Sequence, residues 1–244
     1  MKDRLNLGKM IPVSTIDWYG KVVSVIFFRR CPLRCVYCQN YTLLEGANYV
    51  KLSEMEKEIG KSKDFIDGVV FSGGEPFEQF EAMRHLARFT GELSLMVGIE
   101  TNGFYPDKVE IILKEEIVDK VFLDVKAPLS EPGLYEKICR TRGVVDRVRE
   151  SIGACDGRVE LEIRTTAFRG LVGGDEVKKI ALDLKDIDCE YVIQQGIPEQ
   201  AWEEGLRNLK AYSEEELIQI AKSAILYLRD VKIRSKKSGE IAIS

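Results

Sequence analysis

The sequence predicts an α/β fold, a parallel sheet rolled into an incomplete (β/α)6 barrel with helices outside. Two observations carry this. Short apolar runs alternate with amphipathic stretches along the chain, and polar motifs fall just after successive apolar runs. Six units are too few for the eight-stranded barrel but suit an incomplete one. Periodicity alone does not separate this from an open doubly wound sheet; the placement of the motifs favours the barrel.

Lys21–Arg29 (KVVSVIFFR) reads as a strand that delivers a cysteine-bearing loop, and a helix follows from Ser53, with Glu56 at capping-box spacing. Gly68–Ser72 is a short buried strand, and Pro76–Phe89 a helix with proline at its first turn. The alternation continues with strand Leu93–Glu100, helix Pro106–Glu116, strand Val118–Val125 and helix Val144–Ile152. It ends with strand Val159–Thr165, helix Asp175–Leu184 and strand Glu190–Gln194. A closing helix runs from about Ser213, with Glu216 again at capping-box spacing, to about Leu228. No linker or repeat divides the chain. Residues 1–244 read as one domain, with a core over about 20–196 and a C-terminal helix and tail over about 197–244.

The chain has 244 residues, 45% hydrophobic and 31% charged, enough apolar content for a large core under a charged surface. Lys plus Arg number 36 against 40 Asp plus Glu, a formal charge of −4, which argues against broad nucleic-acid coating. The N-terminus, MKDRLNLGKM, carries charges where a secretion signal needs an apolar run, and no apolar stretch reaches membrane-spanning length. The chain reads as cytoplasmic.

Cys31, Cys35 and Cys38 sit together in RRCPLRCVYCQN. Three thiolates on one tight loop can hold three irons of a [4Fe–4S] cube and leave the fourth iron open, where a four-cysteine ferredoxin closes its cluster. Structural zinc is the plainer reading of a C-x-x-C pair, but it wants four ligands. No further Cys or His lies close by, and the one histidine, His85, falls on an expected helix. A disulfide does not suit a cytosolic chain. Cys139, Cys155 and Cys189 are scattered singly and are assigned no chemistry.

The remaining candidates also follow strands: Ser72-Gly73-Gly74-Glu75-Pro76, Glu100-Thr101-Asn102-Gly103, Asp124-Val125-Lys126 and Arg164-Thr165-Thr166. In parallel α/β architectures the carboxyl ends of the strands open onto one face, so these motifs would meet the cysteine loop around one cavity. Each has a structural alternative. Gly73-Gly74 can make a tight turn, Glu75 can favour a helix N-terminus, Asn102-Gly103 is a turn signal, Asp124 and Lys126 can pair along a strand, and Arg164 can be a satisfied core cation.

The cysteine loop with Tyr37, the SGGEP motif, ETNG, DVKAP and IRTT, together with Ser14, Ile16, Asp17, Gly20 and Lys21, resemble the radical S-adenosylmethionine superfamily. The likeness spans nearly the whole chain and is greatest to anaerobic ribonucleoside-triphosphate reductase activating proteins, which are glycyl-radical enzyme activating enzymes. It implies a [4Fe–4S] cluster on Cys31, Cys35 and Cys38, with S-adenosylmethionine on the open iron. It further implies that Gly73, Gly74 and Glu75 take the methionine amino group, and that Tyr37 lies by the adenine. Glu100, Thr101 and Asp124, with the neighbouring Asn102, would surround the ribose or a monovalent cation. Lys126 would neutralise the methionine carboxylate, and Arg164 would add positive charge at the rim. The chain departs from the family pattern at Gln39, where His is usual, and at Gln194-Gln195-Gly196, which lacks a histidine found near there in pyruvate formate-lyase activating enzymes.

By this resemblance the chain is a radical S-adenosylmethionine oxidoreductase with no catalytic residue beyond the cluster and cofactor. One electron from a low-potential donor such as ferredoxin or flavodoxin would cleave S-adenosylmethionine to a 5′-deoxyadenosyl radical. The radical would take hydrogen from a backbone glycine of a partner such as the anaerobic reductase. Two other readings stand beside it: the radical acts on a small molecule, peptide or RNA base, or the chain is a cluster-bearing carrier or sensor. A carrier needs neither SGGEP nor ETNG.

Overall fold

The structure is a computed structural model, described over residues 3–243. β1 (Arg4–Ser14) pairs antiparallel with β2 (Val23–Phe28), and β3 (Tyr49–Lys51) adds antiparallel to β1. The repeating part follows as α1 (Leu52–Ser62), β4 (Gly68–Gly73), α2 (Phe80–Glu92), β5 (Met96–Thr101), α3 (Pro106–Leu113) and β6 (Lys120–Asp124). Two helices, α4 (Pro132–Cys139) and α5 (Val144–Cys155), lead to β7 (Glu160–Ala167), then α6 (Gly174–Asp183) and β8 (Glu190–Gln195). The chain closes with α7 (Glu204–Arg207), α8 (Glu214–Lys222), β9 (Val231–Ser235) and β10 (Gly239–Ala242).

One sheet holds all of these strands, in the order β3-β1-β2-β4-β5-β6-β7-β8-β9-β10. From β2 through β9 every neighbour is parallel. Six β/α units are present as expected, forming an incomplete barrel, and β9 adds a seventh parallel strand that the sequence reading lacked. β1, β3, β10 and α4 were also unexpected.

The helix boundaries shift for local reasons. The capping box expected at Ser53 and Glu56 is absent: α1 starts at Leu52 with no side-chain cap, because β3 runs straight into it. The Leu52 N–H is instead satisfied by the Asp3 carbonyl. Pro76–Gln79 form a 3-10 turn, and α2 proper starts at Phe80. The capping box at Ser213 and Glu216 forms as expected, with Ser213 N–H donating to Glu216 at 2.7 Å and Glu216 N–H to Ser213 Oγ at 3.2 Å. That helix ends at Lys222 rather than near Leu228; Ser223 Oγ donates back to the Ile220 carbonyl at 2.7 Å, competing with the helical ladder.

Alternation along the strands decides what each face of the sheet does. Ile26, Phe28, Val69, Phe71, Ile99, Leu123, Ile163 and Ile193 belong to the main core under the helices. The other face begins apolar, with Trp18, Val23, Val25, Phe27, Val70 and Phe122. Toward β7–β10 it becomes charged. Glu162, 1% exposed, meets Lys120 at 3.1 Å, Arg164 at 2.5 Å and Arg234 at 3.1 Å, and Arg234 also meets Glu240 at 2.5 Å. Burial alone would raise the Glu162 carboxyl, but the three cations outweigh it and hold it at about 2. This network ties β6, β7, β9 and β10 together across the intervening β8.

Glu162→Gln should therefore destabilise the protein by roughly 3–5 kcal/mol, the cost of leaving buried cations without their partner. The folded pKa of Glu162 lies below its ordinary 4.5, so its stabilisation is present above pH 4.5 and is lost as pH falls toward 2. Urea unfolding of both proteins across that range should show the difference between them shrinking.

Candidate functional site

The loop that follows β2 is held from several sides. Arg34 N–H donates to the Cys139 carbonyl at 2.9 Å and Val36 N–H to the Ile138 carbonyl at 3.0 Å, satisfying carbonyls at the end of α4 that have no helical partner. Glu203 N–H donates to the Val36 carbonyl at 2.9 Å, and the Arg34 guanidinium donates to the Cys31 carbonyl at 2.6 Å and the Leu33 carbonyl at 2.9 Å. Leu33 and Val36 are buried and anchor the loop in the core. This clamping explains how α4, unseen in the sequence, fixes three cysteines.

At the end of β4, Gly74 N–H donates to the Phe28 carbonyl at 2.8 Å and Glu75 N–H to the Arg30 carbonyl at 2.9 Å. Gly73 has φ +118°, and a Cβ there would lie 2.3 Å from Phe28 N. A Cβ on Gly74 would lie 2.0 Å from the Arg30 carbonyl oxygen. Both glycines line the cavity, yet what forbids a side chain is backbone, the end of β2 at Gly73 and Arg30 just after it at Gly74.

Glu75 departs furthest from its expected role. It is fully buried and does not line the cavity. Its carboxylate accepts from Asn102 N–H at 2.8 Å, Thr101 Oγ1 at 2.9 Å and Phe77 N–H at 3.2 Å. Burial pushes its pKa up to about 7 although these donors pull the other way. It braces the turn after β4 against the turn after β5 rather than facing a ligand.

The other expected residues do face one cavity of about 850 Å³ at the carboxyl ends of the strands: Cys31, Cys35, Cys38, Tyr37, Gly73, Gly74, Glu100, Thr101, Asn102, Asp124, Lys126 and Arg164. Asn102 Nδ2 donates to Cys31 Sγ at 3.3 Å, and Leu33 N–H approaches the same sulfur at 3.4 Å. Cys139 lies against Cys35 and donates to it, which lowers the Cys35 thiol. Burial raises Cys31 and pushes Cys38 up to about 11. Lys126, 2.9 Å from Asp124, is the cation whose field pulls against that rise at Cys31 and Cys38 and adds to the lowering of Cys35. Among the described residues no three His, Cys, Asp or Glu side chains converge on a single ion. A cube asks for a different arrangement, each sulfur facing its own iron. Three thiols on one cavity wall, with N–H donors aimed at one sulfur, fit such a group.

The carboxylates around it are already engaged. Glu100 accepts from Ser72 and from Arg164, Thr101 is bonded to Glu75 and Gly103, and Asp124 is paired with Lys126. Each residue expected around a monovalent cation thus already has a partner within the protein. Arg164 already brings positive charge there, its guanidinium bound by Glu162, Glu100 and the Asp17 carbonyl and lying 4.1 Å over Phe122. It is a satisfied interior cation as well as a lining residue. Tyr37 stacks on Phe168 with ring centroids 5.7 Å apart, and its buried hydroxyl has no partner.

Thr166 lines the cavity as expected, whereas sequence reasoning missed Ser72 as a partner of Glu100 and the part of the wall formed by Gln200, Arg234 and Glu240. The alternation in VKIRS, residues 231–235, was the signal for part of that wall. His85, paired with Glu56, Cys155 and Cys189 do not line the cavity.

Gly74→Ala should lower stability by about 1–3 kcal/mol through overpacking against Arg30. Iron retention after anaerobic reconstitution should fall in parallel with Tm. Unchanged Tm and iron with weakened cofactor binding would return Gly74 to a purely ligand-facing role.

Residues 25–176 match the Radical SAM superfamily. A Methanocaldococcus jannaschii protein with the provisional name glycyl-radical enzyme activating enzyme is 33% identical over 232 residues, 93% of this chain and 94% of its own. The pyruvate formate-lyase-activating enzyme of Clostridium pasteurianum is 34% identical over 120 residues, 47% of this chain and 49% of that one. A radical SAM methyltransferase from Sphaerobacter thermophilus superposes with a TM-score of 0.71 at 16% identity, over 91% of this chain and 68% of that one, a likeness of fold alone. With more than half its length matched, and a relative of nearly equal span, this chain belongs to the radical SAM superfamily of enzymes.

Proposed function

We propose that this enzyme holds a [4Fe–4S] cluster on Cys31, Cys35 and Cys38, binds S-adenosylmethionine beside it, and installs a glycyl radical on a partner protein of the anaerobic ribonucleotide reductase kind. The observation that carries the reading is the single cavity that three thiols share with the residues of SGG, ETN and DVK. The relative of matching length, itself named for activating glycyl-radical enzymes, supports the choice of substrate.

When bound, the cluster and S-adenosylmethionine supply one-electron bond cleavage and a 5′-deoxyadenosyl radical able to take a hydrogen atom. The chain's own residues do the rest. Cys31, Cys35 and Cys38 anchor the metal, and Asn102 Nδ2–H on Cys31 Sγ tunes its potential. Lys126 offsets the negative charge that deprotonated thiols bring, and Gly73 and Gly74 offer backbone to the methionine end. Tyr37, whose buried hydroxyl has no partner, lines the cavity and would lie by the nucleoside. The reductant would be a small low-potential carrier. No helix among the described residues is long and apolar enough to cross a membrane, and all six cysteines are free, which suits the reducing cytoplasm proposed for it.

Reconstituted anaerobically and reduced with dithionite, the enzyme should form 5′-deoxyadenosine, and Cys35→Ala should abolish it. Formation at wild-type rate by that variant would exclude the three-thiol anchor. Mixed with its partner, the enzyme should generate an organic doublet radical whose splitting collapses when glycine α-hydrogens are replaced by deuterium; a doublet indifferent to deuteration would place the radical elsewhere. Asn102→Ala, which removes an N–H donor from sulfur, should shift the cluster potential downward in an EPR redox titration.

A further inference from the structure

The cavity has a second side that the cofactor reading does not use. Gln194 at the end of β8, Gln200 in the turn that follows it, and Gln39 after the third cysteine all line the cavity. Their carboxamides have no partner within the protein among the described residues. Gln195 nearby is different, since its side chain donates to the Tyr212 carbonyl at 2.6 Å and accepts from Lys236 N–H at 2.8 Å. The segment carrying Gln200 also closes toward the cysteine loop, through Glu203 N–H on the Val36 carbonyl and Arg207 near the Tyr41 ring.

We propose that Gln194 and Gln200, with Gln39 of the cysteine loop, read the peptide backbone of an extended glycine-bearing segment of the partner. This rests on the glycyl-radical reading above and says how the site recognises its substrate. Glycine has no side chain, so a site that selects it must read main-chain groups. A carboxamide offers the same donor and acceptor as a peptide unit and can pair with both.

Charge and stacking argue against other occupants of this wall. Arg234 is paired with Glu162 and Glu240, and Lys236 with Glu199 at 2.7 Å, so an anionic substrate group finds no uncommitted cation there. Carboxamides also read nucleobase edges, but a base held this way is usually stacked on an aromatic face. The aromatic rings lining the cavity are Tyr19, Phe27 and Tyr37, none from β7–β10 or the segment carrying Gln200.

The test uses cluster-loaded enzyme with S-adenosylmethionine and a tritium-labelled peptide, acetyl-Ala-Ala-Gly-Ala-Ala-amide, in anaerobic equilibrium dialysis. Gln194→Leu/Gln200→Leu should bind it about tenfold more weakly, the loss of two neutral hydrogen bonds. Gln194→Asn in place of Gln194→Leu, with Gln200→Leu kept, should recover part of the affinity because it restores the carboxamide. N-methylation of the amides flanking glycine should weaken binding to the parent by a similar factor and have little further effect on the double variant. Equal affinity of parent and double variant, no binding by the parent, or tighter Gln-dependent binding of guanosine would overturn the proposal. Use of α-deuterated glycine in the same peptide separates the two readings. If the peptide binds in a Gln-dependent way but 5′-deoxyadenosine carries no deuterium, the backbone-reading wall stands and the glycyl-radical reading falls.

Discussion

The site depends on one backbone junction, where the end of β4 lies against the end of β2. Gly74 N–H on the Phe28 carbonyl and Glu75 N–H on the Arg30 carbonyl continue the parallel ladder past the last strand residues and into the loops. The ladder continues because neither glycine carries a Cβ to separate the chains. Glu75 then reaches under the cavity to the backbone and hydroxyl of Asn102 and Thr101, and Asn102 reaches back to Cys31. Three strand ends are thereby fixed to one another by a circuit that passes through a single buried carboxylate. That carboxylate accepts three hydrogen bonds, which keeps the cost of its burial tolerable.

The charged side of the barrel follows a related logic. A concave face that must stay open to ligands cannot be filled with side chains, so its walls need another source of order. Glu162 supplies it by holding cations from β6, β7 and β9 at once, while Glu240 of β10 takes a second contact from Arg234. Arg164 links this network to the ligand end through Glu100 and Ser72. The pairs neutralise one another, so the wall is polar and rigid without presenting net charge to the cavity.

The β/α rhythm was legible because parallel strands buried against helices leave dense apolar runs between amphipathic stretches. The convergence of motifs was legible because strand ends share a face. Antiparallel additions gave no such rhythm: β1 reads RLNLGKMIPVS, with several polar residues and a half-exposed pattern, and β10 is only four residues, GEIA. α4 hides behind two prolines, Pro128 and Pro132, and is only eight residues long. The bracing contacts of Glu75 were not legible for a different reason. A carboxylate after two glycines suggests a ligand contact, and only the three-dimensional approach of the ETNG turn shows that its acceptors are already in use. The same holds for Cys139, whose proximity to Cys35 comes from a helix no pattern announced.

What the two sides of the cavity have in common is economy of free charge. On the sulfur side Lys126 is balanced by Asp124 and its field also reaches Cys35 and Cys139. On the wall of β7–β10 the cations lining the cavity are paired with carboxylates among the described residues, and the groups left without partners, such as the Gln194 and Gln200 carboxamides, are neutral. A site that hosts radical chemistry gains from this division. Charged groups with mobile counter-ions would draw water toward the reacting carbon, whereas neutral donors and acceptors can be satisfied by a substrate backbone as it displaces that water. The departures at Gln39 and Gln194 from the histidine pattern then have a physical reading: an imidazole titrates near neutral pH, and a carboxamide keeps one charge state throughout.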